Sequence, residues 1–562
     1  MASAKRRGCC CCLAAGLALA AAAVLLGALL TRPRCSPPRS PRAAVAADTR
    51  TCSDVGRDLL QRGGSAVDAA IAALICTSVL NPQSMGLGGG VIFTIYNAST
   101  GKVEVINARE KAPQAISTGL LDQCQPTFLP GAQWIAVPGE LRGYEEAHKR
   151  YGKLPWKTLF KPTIKLLESG IKIPRILSLF LNEPMLLRPL KSSSLGKLFF
   201  NEGNILQEGQ ILHWPALLET LKAVAENGAG EFYTGKTAEL LVEDVRKEGG
   251  TLTLDDLRSY QAEIVKPLNI SLGEYTVYSA PSPAAGPILF FILNVLKGFN
   301  FTKATMDTPS EKAEAYHYIA ETLKFANGQK AKVEDPAFSH IKEDVISELV
   351  SDSFANHVRA QIDERGDHAA THYNLTQRGA VGFGTSHVSV LAEDGSAVSV
   401  TSTINHPFGS MVYSQSTGII LNNELADFCM KQLNKEISPG EIPPSSMSPA
   451  ILISSNGESK LVIGGSGGTL ITPAVAQVIV NKLWFGYELD AAIQASVLFA
   501  GENNSIKVEP HFDKDVLKRL QEKGHRISVA NRTLNVVQGI SKEGHCIFAY
   551  SDLRKLGEAS GY

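Results

Sequence analysis

The stretch Val381-Gly-Phe-Gly-Thr-Ser-His-Val-Ser-Val-Leu391 sets a hydroxyl residue, Thr385, directly after a glycine, Gly384. A strand follows in which Val388 and Val390 alternate with His387 and Ser389. An Asp394-Gly395 turn signal then leads to a second strand at 397–405, carrying Thr401-Ser402-Thr403 and ending at Asn405. A threonine hydroxyl is a weak nucleophile until a base takes its proton. An N-terminal α-amine, with an unperturbed pKa of about 7.7–8.0, is a suitable base near physiological pH. A cut between Gly384 and Thr385 would unite nucleophile and base in one residue. Gly384, lacking a Cβ, can hold the strained backbone through which that hydroxyl reaches the preceding carbonyl. By spacing alone, the more economical reading is an ordinary β-hairpin rich in Thr and Ser.

A second nucleophile competes. Gly464-Gly-Ser-Gly-Gly468 follows an apolar strand and precedes a helix, and it fits a Gly-x-Ser-x-Gly elbow around Ser466. Asp490 and then His511 or His525 occur in the order a triad would use. The same loop could hold an anion on backbone N–H groups, but it lacks the lysine of a phosphate loop. Arg109, just past a strand at 102–107, has the planar fork that recognises a carboxylate, although a loop arginine is by default simply exposed. Glu424 and Asp427 alone read as a solvated acidic pair.

These groups need a frame. Ser65 to Asp68 looks like a capped helix start, and 66–80 is apolar almost all round, as in a helix buried inside a large domain. Glycines at 86–90 turn into strands at 91–96 and 102–107. Helical patterns follow at 139–151, 156–169, 216–226, 237–247, 285–296, 310–327 and 355–364. Residues 367–378 are polar and turn-like, an exposed loop ahead of the cut. Beyond Thr385 strands dominate, at 418–421, 450–454, 461–464, 536–539 and 546–551 besides the hairpin, with helices at 470–483 and 489–497. The mixture implies an α/β protein, but periodicity does not name the layers.

Lys5, Arg6 and Arg7 precede an uncharged run at 8–31, about 36 Å long as a helix and enough to cross a bilayer. It is longer than the apolar core of a cleaved signal peptide, so an uncleaved anchor is expected: a cytoplasmic tail at 1–7, the span at 8–31 and a proline-rich stalk at 32–44. Lys+Arg and Asp+Glu both number 55; less the five basic residues before position 35, the remainder holds 50 against 55, which argues against a nucleic-acid partner. Cys35, Cys52, Cys76, Cys124, Cys429 and Cys546 lie beyond the span. Their number permits disulfides without giving the pairing, and no spacing among them suits a metal. Asn97, Asn269, Asn300, Asn374, Asn503 and Asn531 head Asn-x-Ser/Thr sequons, consistent with a glycosylated extracellular surface.

The segment 384–405, with Asn81-Pro-Gln-Ser-Met-Gly-Leu-Gly-Gly-Gly90, Asn107-Ala-Arg-Glu110, Pro138-Gly-Glu-Leu-Arg-Gly143, Ser445-Ser-Met447 and Gly464–Gly468, resembles the γ-glutamyltransferase family over nearly everything after residue 45. The resemblance implies a four-layer αββα N-terminal-nucleophile hydrolase sandwich. It would be built from two autocleaved chains, a large subunit at 45–384 and a small catalytic one at 385–562, intertwined as one domain. It also implies a plasma-membrane protein, single-pass type II, with the catalytic part outside and a Cys52–Cys76 disulfide. Thr385 would be the nucleophile freed by cleavage after Gly384, Thr403 would orient it, and Gly467 and Gly468 would form the oxyanion hole. Arg109, Ser445 and Ser446 would take the donor's α-carboxylate; Asn405, Glu424 and Asp427 would take its α-ammonium. The implied donors are glutathione, its S-conjugates and leukotriene C4, and the acceptors water, an amino acid or a dipeptide, with no cofactor and no metal. His406-Pro407-Phe408-Gly409 departs from the better-known members, which carry an aromatic residue at the position of Pro407. With Thr385-Ser386 it is similar to the leukotriene C4 branch of the family.

Overall fold

A computed structural model describes residues 35–562 apart from 37, 126–127, 342, 376–383, 431–435, 502–503 and 531–534. The expected tail, membrane span, start of the stalk, end of the pre-cut loop, and Asn503 and Asn531 fall outside the described residues. Among these residues, no helix is long and apolar enough to cross a membrane.

In chain order the principal strands are β1 (Ala44–Ala46), β2 (Gly90–Asn97), β3 (Lys102–Ala108), β4 (Glu263–Val265), β5 (Leu268–Leu272) and β6 (Tyr275–Ser279). They continue as β7 (Gly384–Leu391), β8 (Ala397–Asn405), β9 (Ala450–Ser454), β10 (Lys460–Ser466), β11 (Val536–Glu543), β12 (Cys546–Ser551) and β13 (Ser560–Gly561). They form a seven-stranded sheet, β13-β1-β7-β8-β2-β3-β4, and a six-stranded sheet, β12-β11-β10-β9-β6-β5, with antiparallel neighbours throughout. Strands from before and after residue 384 interleave in the larger sheet and lie side by side as two blocks in the smaller, so neither stretch completes a sheet alone.

Helices α1 (Arg50–Gln61), α2 (Ala66–Leu80) and α3 (Glu140–Tyr151) back the larger sheet; α4 (Gly286–Lys297), α5 (Pro309–Gln329), α6 (Ile471–Leu483) and α7 (Leu489–Gln494) lie on the side of the smaller one. The cap on α2 is reciprocal: the Asp68 N–H donates to Ser65 Oγ at 3.0 Å, and the Ser65 N–H donates to Asp68 Oδ2 at 2.8 Å. Every α2 residue is buried, as its uninterrupted apolar run requires. Val388, Val390, Val398 and Val400 pack towards this helix in one core, while Leu452, Leu461 and Ile463 share another with α4 and α6. Ala44, Leu391, Ala397, Ile451, Val462 and Ile540 fill the space between the sheets. The layers therefore run helix, sheet, sheet, helix.

The polar residues that alternate with those valines are buried too. Ser399 Oγ donates to the Ile463 carbonyl at 2.9 Å across the inter-sheet space, and the His387 ring occupies the room left by Gly464, where a Cβ would stand 2.3 Å from it. Backbone carbonyls of the facing sheet satisfy a face that in an isolated hairpin would need water.

Four details differ from expectation. Residues 418–421 form no strand, only the isolated bridges Gly88↔Leu421 and Tyr413↔Ile420. The helix expected at 355–364 forms at Asp352–Arg359, capped by Ser351. Helix α1 and strands β4–β6 carried no assigned pattern. Nor is the proline-rich stretch a free spacer where it is described: Ser40 exchanges backbone hydrogen bonds with Ile547, and Cys35 is bonded to Cys546. Cys52–Cys76 joins α1 to α2 as expected, and Cys124 pairs with Cys429. Of the described sequons, Asn269, Asn300 and Asn374 are exposed and Asn97 is half-buried.

Candidate active site

At the start of β7 the pairing with β8 slips by one residue, so Gly384 faces Asn405 while Thr385 faces Thr403. Such a bulge re-aims side chains, and here it brings two hydroxyls together. Thr385 Oγ1 lies 3.1 Å from Thr403 Oγ1. The Thr403 hydroxyl donates to the Gly384 carbonyl at 2.7 Å and accepts the Asn405 N–H at 2.8 Å. With its one proton given to Gly384, Thr403 is an acceptor towards Thr385, whose hydroxyl donates to it. A Cβ on Gly384 would stand 2.2 Å from the His406 carbonyl oxygen, so no side chain fits. Asn405 itself has a positive φ of 71°, which ends β8 and turns the chain away.

Beneath Thr385 lies a buried charged cluster absent from the sequence reading. The Lys555 ammonium donates to the Thr385 carbonyl at 2.7 Å and to Asp48 at 2.5 Å. Ser386 donates to the same carboxylate at 2.6 Å, and Gln538 to its other oxygen. Burial lowers the Lys555 pKa and the Asp48 charge opposes that shift. Residues 48 and 555 lie far from 385 in the chain, so no local pattern joins them.

Arg109 is buried, and its guanidinium donates to Glu424 Oε1 and Asp427 Oδ2, both at 2.6 Å, and to the carbonyls of Pro443 (2.9 Å) and Pro444 (2.8 Å). The expected division of labour, arginine for one end of a ligand and the acids for the other, is thus internally paired. Glu424 and Asp427 ride on a 3-10 helix, Glu424–Met430, anchored by Asn422, which accepts the Glu424 N–H and donates to the carbonyls of Gly88 and Ala136. Burial pushes Glu424 well above the carboxylate range and Glu110, 3.8 Å from Arg109, to about 8, with the arginine charge opposing both shifts. Burial thus keeps these acids protonated around one cation, and an arriving ammonium would favour their ionised form.

These side chains line one pocket of about 350 Å³, with Thr385, Thr403, Asn405, Ser445, Ser446 and Gly468 in its wall. Gly467 (φ 124°) and Gly468 (φ 58°) turn the end of β10 into α6, a path that needs glycine. Among the described residues, no protein group accepts a hydrogen bond from either N–H. Gly468, but not Gly467, lines the pocket with Thr385, and a free backbone donor there can face a developing negative charge.

Ser466 is buried at the end of β10 without a histidine partner. His387 is held by Thr401 and Ser389 at 2.9 Å each, and burial lowers its pKa to about 3. His525 is hydrogen-bonded to His317 and Lys324, His511 is exposed, and Asp490 only accepts the neighbouring Ala491 N–H. His317, Glu321 and His525 cluster as metal ligands do, but the Lys324 ammonium, 2.9 Å from Glu321, already fills the cationic position.

Residues 52–562 match the profile of the family described as gamma-glutamyltranspeptidase. The chain is 54% identical to glutathione hydrolase 5 proenzyme of Mus musculus and 52% identical to that of Homo sapiens, covering 96% of each chain in both cases. In structure it is similar to the cephalosporin acylase from Bacillus halodurans, with a TM-score of 0.83 and 25% identity over 95% of this chain and 98% of that one. A chain of the Helicobacter pylori gamma-glutamyltranspeptidase superposes with a TM-score of 0.50 and 29% identity, covering 56% of this chain and 90% of its own. The family resemblance read from the sequence is thus borne out, and the chain belongs to the gamma-glutamyltranspeptidase family, whose enzymes transfer or hydrolyse γ-glutamyl groups.

Proposed function

We propose that this chain is a precursor that cuts itself between Gly384 and Thr385. The freed Thr385 then removes the γ-glutamyl group from glutathione, glutathione S-conjugates and leukotriene C4, the last giving leukotriene D4. Water, an amino acid or a dipeptide receives the group. The observation that carries this reading is the hydroxyl chain from Thr385 through Thr403 to the Gly384 carbonyl. Thr385 Oγ adds to that carbonyl carbon and gives up its proton, which ends on the departing nitrogen as the C–N bond breaks and the acyl group moves from nitrogen to oxygen. Water then hydrolyses the ester, leaving a Gly384 carboxylate and a Thr385 α-amine. In turnover the amine takes the hydroxyl proton as Oγ attacks the donor's γ-carbonyl, and the Gly467 and Gly468 N–H groups face the oxyanion. The collapsing intermediate expels the leaving amine, which takes the proton, and a glutamyl ester remains for the acceptor.

A zwitterionic glutamyl head suits the acid-rich pocket. Its α-carboxylate replaces a carboxylate on Arg109 and reaches Ser445 and Ser446, while its ammonium takes the released Glu424 and Asp427, with Asn405 alongside. The relatives named as proenzymes support the precursor, and the apolar run at 8–31 supports a plasma-membrane anchor with this body outside. Cys35–Cys546 and Cys124–Cys429 both straddle the cut, so the two fragments stay covalently joined. The test is N-terminal sequencing of the smaller fragment, released on a reducing denaturing gel. A sequence starting at Thr385, with cleavage and γ-glutamyl anilide turnover both lost in Thr385→Ala, is expected. A mature chain that stays continuous while turning over glutamyl amides refutes it, and an uncleaved inactive chain favours a non-catalytic membrane glycoprotein.

A further inference from the structure

Two depressions adjoin the glutamyl pocket and take no part in the steps above. One shares the Ser445–Ser446 wall and runs past Val333 and Glu334 to Lys330; it spans about 530 Å³ and opens to solvent. The other meets the pocket at Thr469, spans about 330 Å³ open to solvent and is lined by Ile288, Ile292, Leu323 and Phe499, with Lys330 again in its wall. Lys330 is partly exposed; among the described residues its ammonium pairs with no carboxylate, although Glu334 lines the same depression, and desolvation pushes its pKa down to about 8. A partly desolvated cation without a counter-ion is less stable than one in water, and an incoming carboxylate offsets that loss. The glutamyl head already has its partners at Arg109, Glu424, Asp427 and the two serines. An anion reaching Lys330 therefore belongs to the other half of the donor, the part released when Thr385 takes the glutamyl group. In a cysteinyl-glycine leaving group the carboxylate ends one arm and the sulfur substituent forms another, which matches a cation set beside an apolar floor.

We propose that Lys330 and the floor formed by Ile288, Ile292, Leu323 and Phe499 make up a leaving-group subsite. It selects γ-glutamyl peptides whose released part carries both a carboxylate and an apolar S-substituent. This rests on the γ-glutamyl reading above. The test compares kcat/KM for three donors: γ-glutamyl p-nitroanilide, whose released part has no carboxylate, glutathione and S-octylglutathione. In the wild-type protein S-octylglutathione exceeds glutathione by about ten-fold or more. Lys330→Gln lowers the glutathione-to-anilide ratio by about ten- to a hundred-fold, and Lys330→Arg retains it. Leu323→Asn lowers the octyl-to-glutathione ratio instead. Equal losses on all three donors in Lys330→Gln without rescue by arginine, or ratios that do not move, overturn the subsite. A wild-type protein that turns over the anilide but shows no octyl preference overturns the apolar floor. A wild-type protein inert towards all three donors overturns the γ-glutamyl reading and the subsite with it.

Discussion

Replacing Thr403 by valine keeps the shape of the side chain and removes one oxygen that serves three bonds. It leaves the buried Asn405 N–H without an acceptor, the Gly384 carbonyl without its 2.7 Å donor and the Thr385 hydroxyl without its 3.1 Å partner. The orphaned N–H lowers folding stability by about 1–3 kcal/mol. The other two losses fall on reacting atoms. A donor polarising a carbonyl under attack contributes about 3–4 kcal/mol, so chain cleavage slows by roughly a hundred- to a thousand-fold. Thr403 is a positioning residue here, and the readout must separate that role from a packing one. Pulse-labelled precursor is followed on reducing gels for fragment appearance, and kcat is measured on the matured fraction. Thr403→Ser, which restores the oxygen and loses only a methyl group, recovers most of both rates. Cleavage of Thr403→Val within a few-fold of wild type, or a serine variant as slow as the valine one, refutes the assignment.

On non-reducing gels the wild-type protein runs as one band despite cleavage, and Cys35→Ser combined with Cys124→Ser separates into two without reductant. Arg109→Lys keeps the charge but cannot hold two carboxylates and two carbonyls together, so kcat/KM for glutathione falls by about ten- to a hundred-fold, with KM rising most. Glu140, hydrogen-bonded by Ser402 and Tyr144 under β8, is pushed up to about 8 by burial. Its proton is held more tightly in the folded state, so its contribution to stability is complete below about pH 4.5, shrinks as pH rises and is gone above about 8. Thermal unfolding of Glu140→Gln between pH 5 and pH 9 accordingly shows less alkaline loss than wild type; parallel profiles contradict the shift.

Local sequence settled the elements whose signals are self-contained. The Val388/Val390 alternation with an Asp394-Gly395 turn gave the hairpin, the Ser65/Asp68 pair gave the start of α2, and the glycines before α6 gave its loop, because turn chemistry and apolar period act over a few residues. Short segments such as β4 and the 3-10 helix bearing Glu424 escaped because they are held by neighbours from elsewhere in the chain. Motifs placed Arg109, Thr403, Asn405 and Ser445 in one site. Only the tertiary structure decided that Arg109 grips Glu424 and Asp427, that Asp48 and Lys555 lie under Thr385, and that two disulfides join the stretches before and after Gly384–Thr385. It also turned the polar face of β7 and β8 inward, against a second sheet whose carbonyls stand in for water. The ion pairs and disulfides join groups hundreds of residues apart, and neither leaves a periodicity along the chain from which its partner could be read.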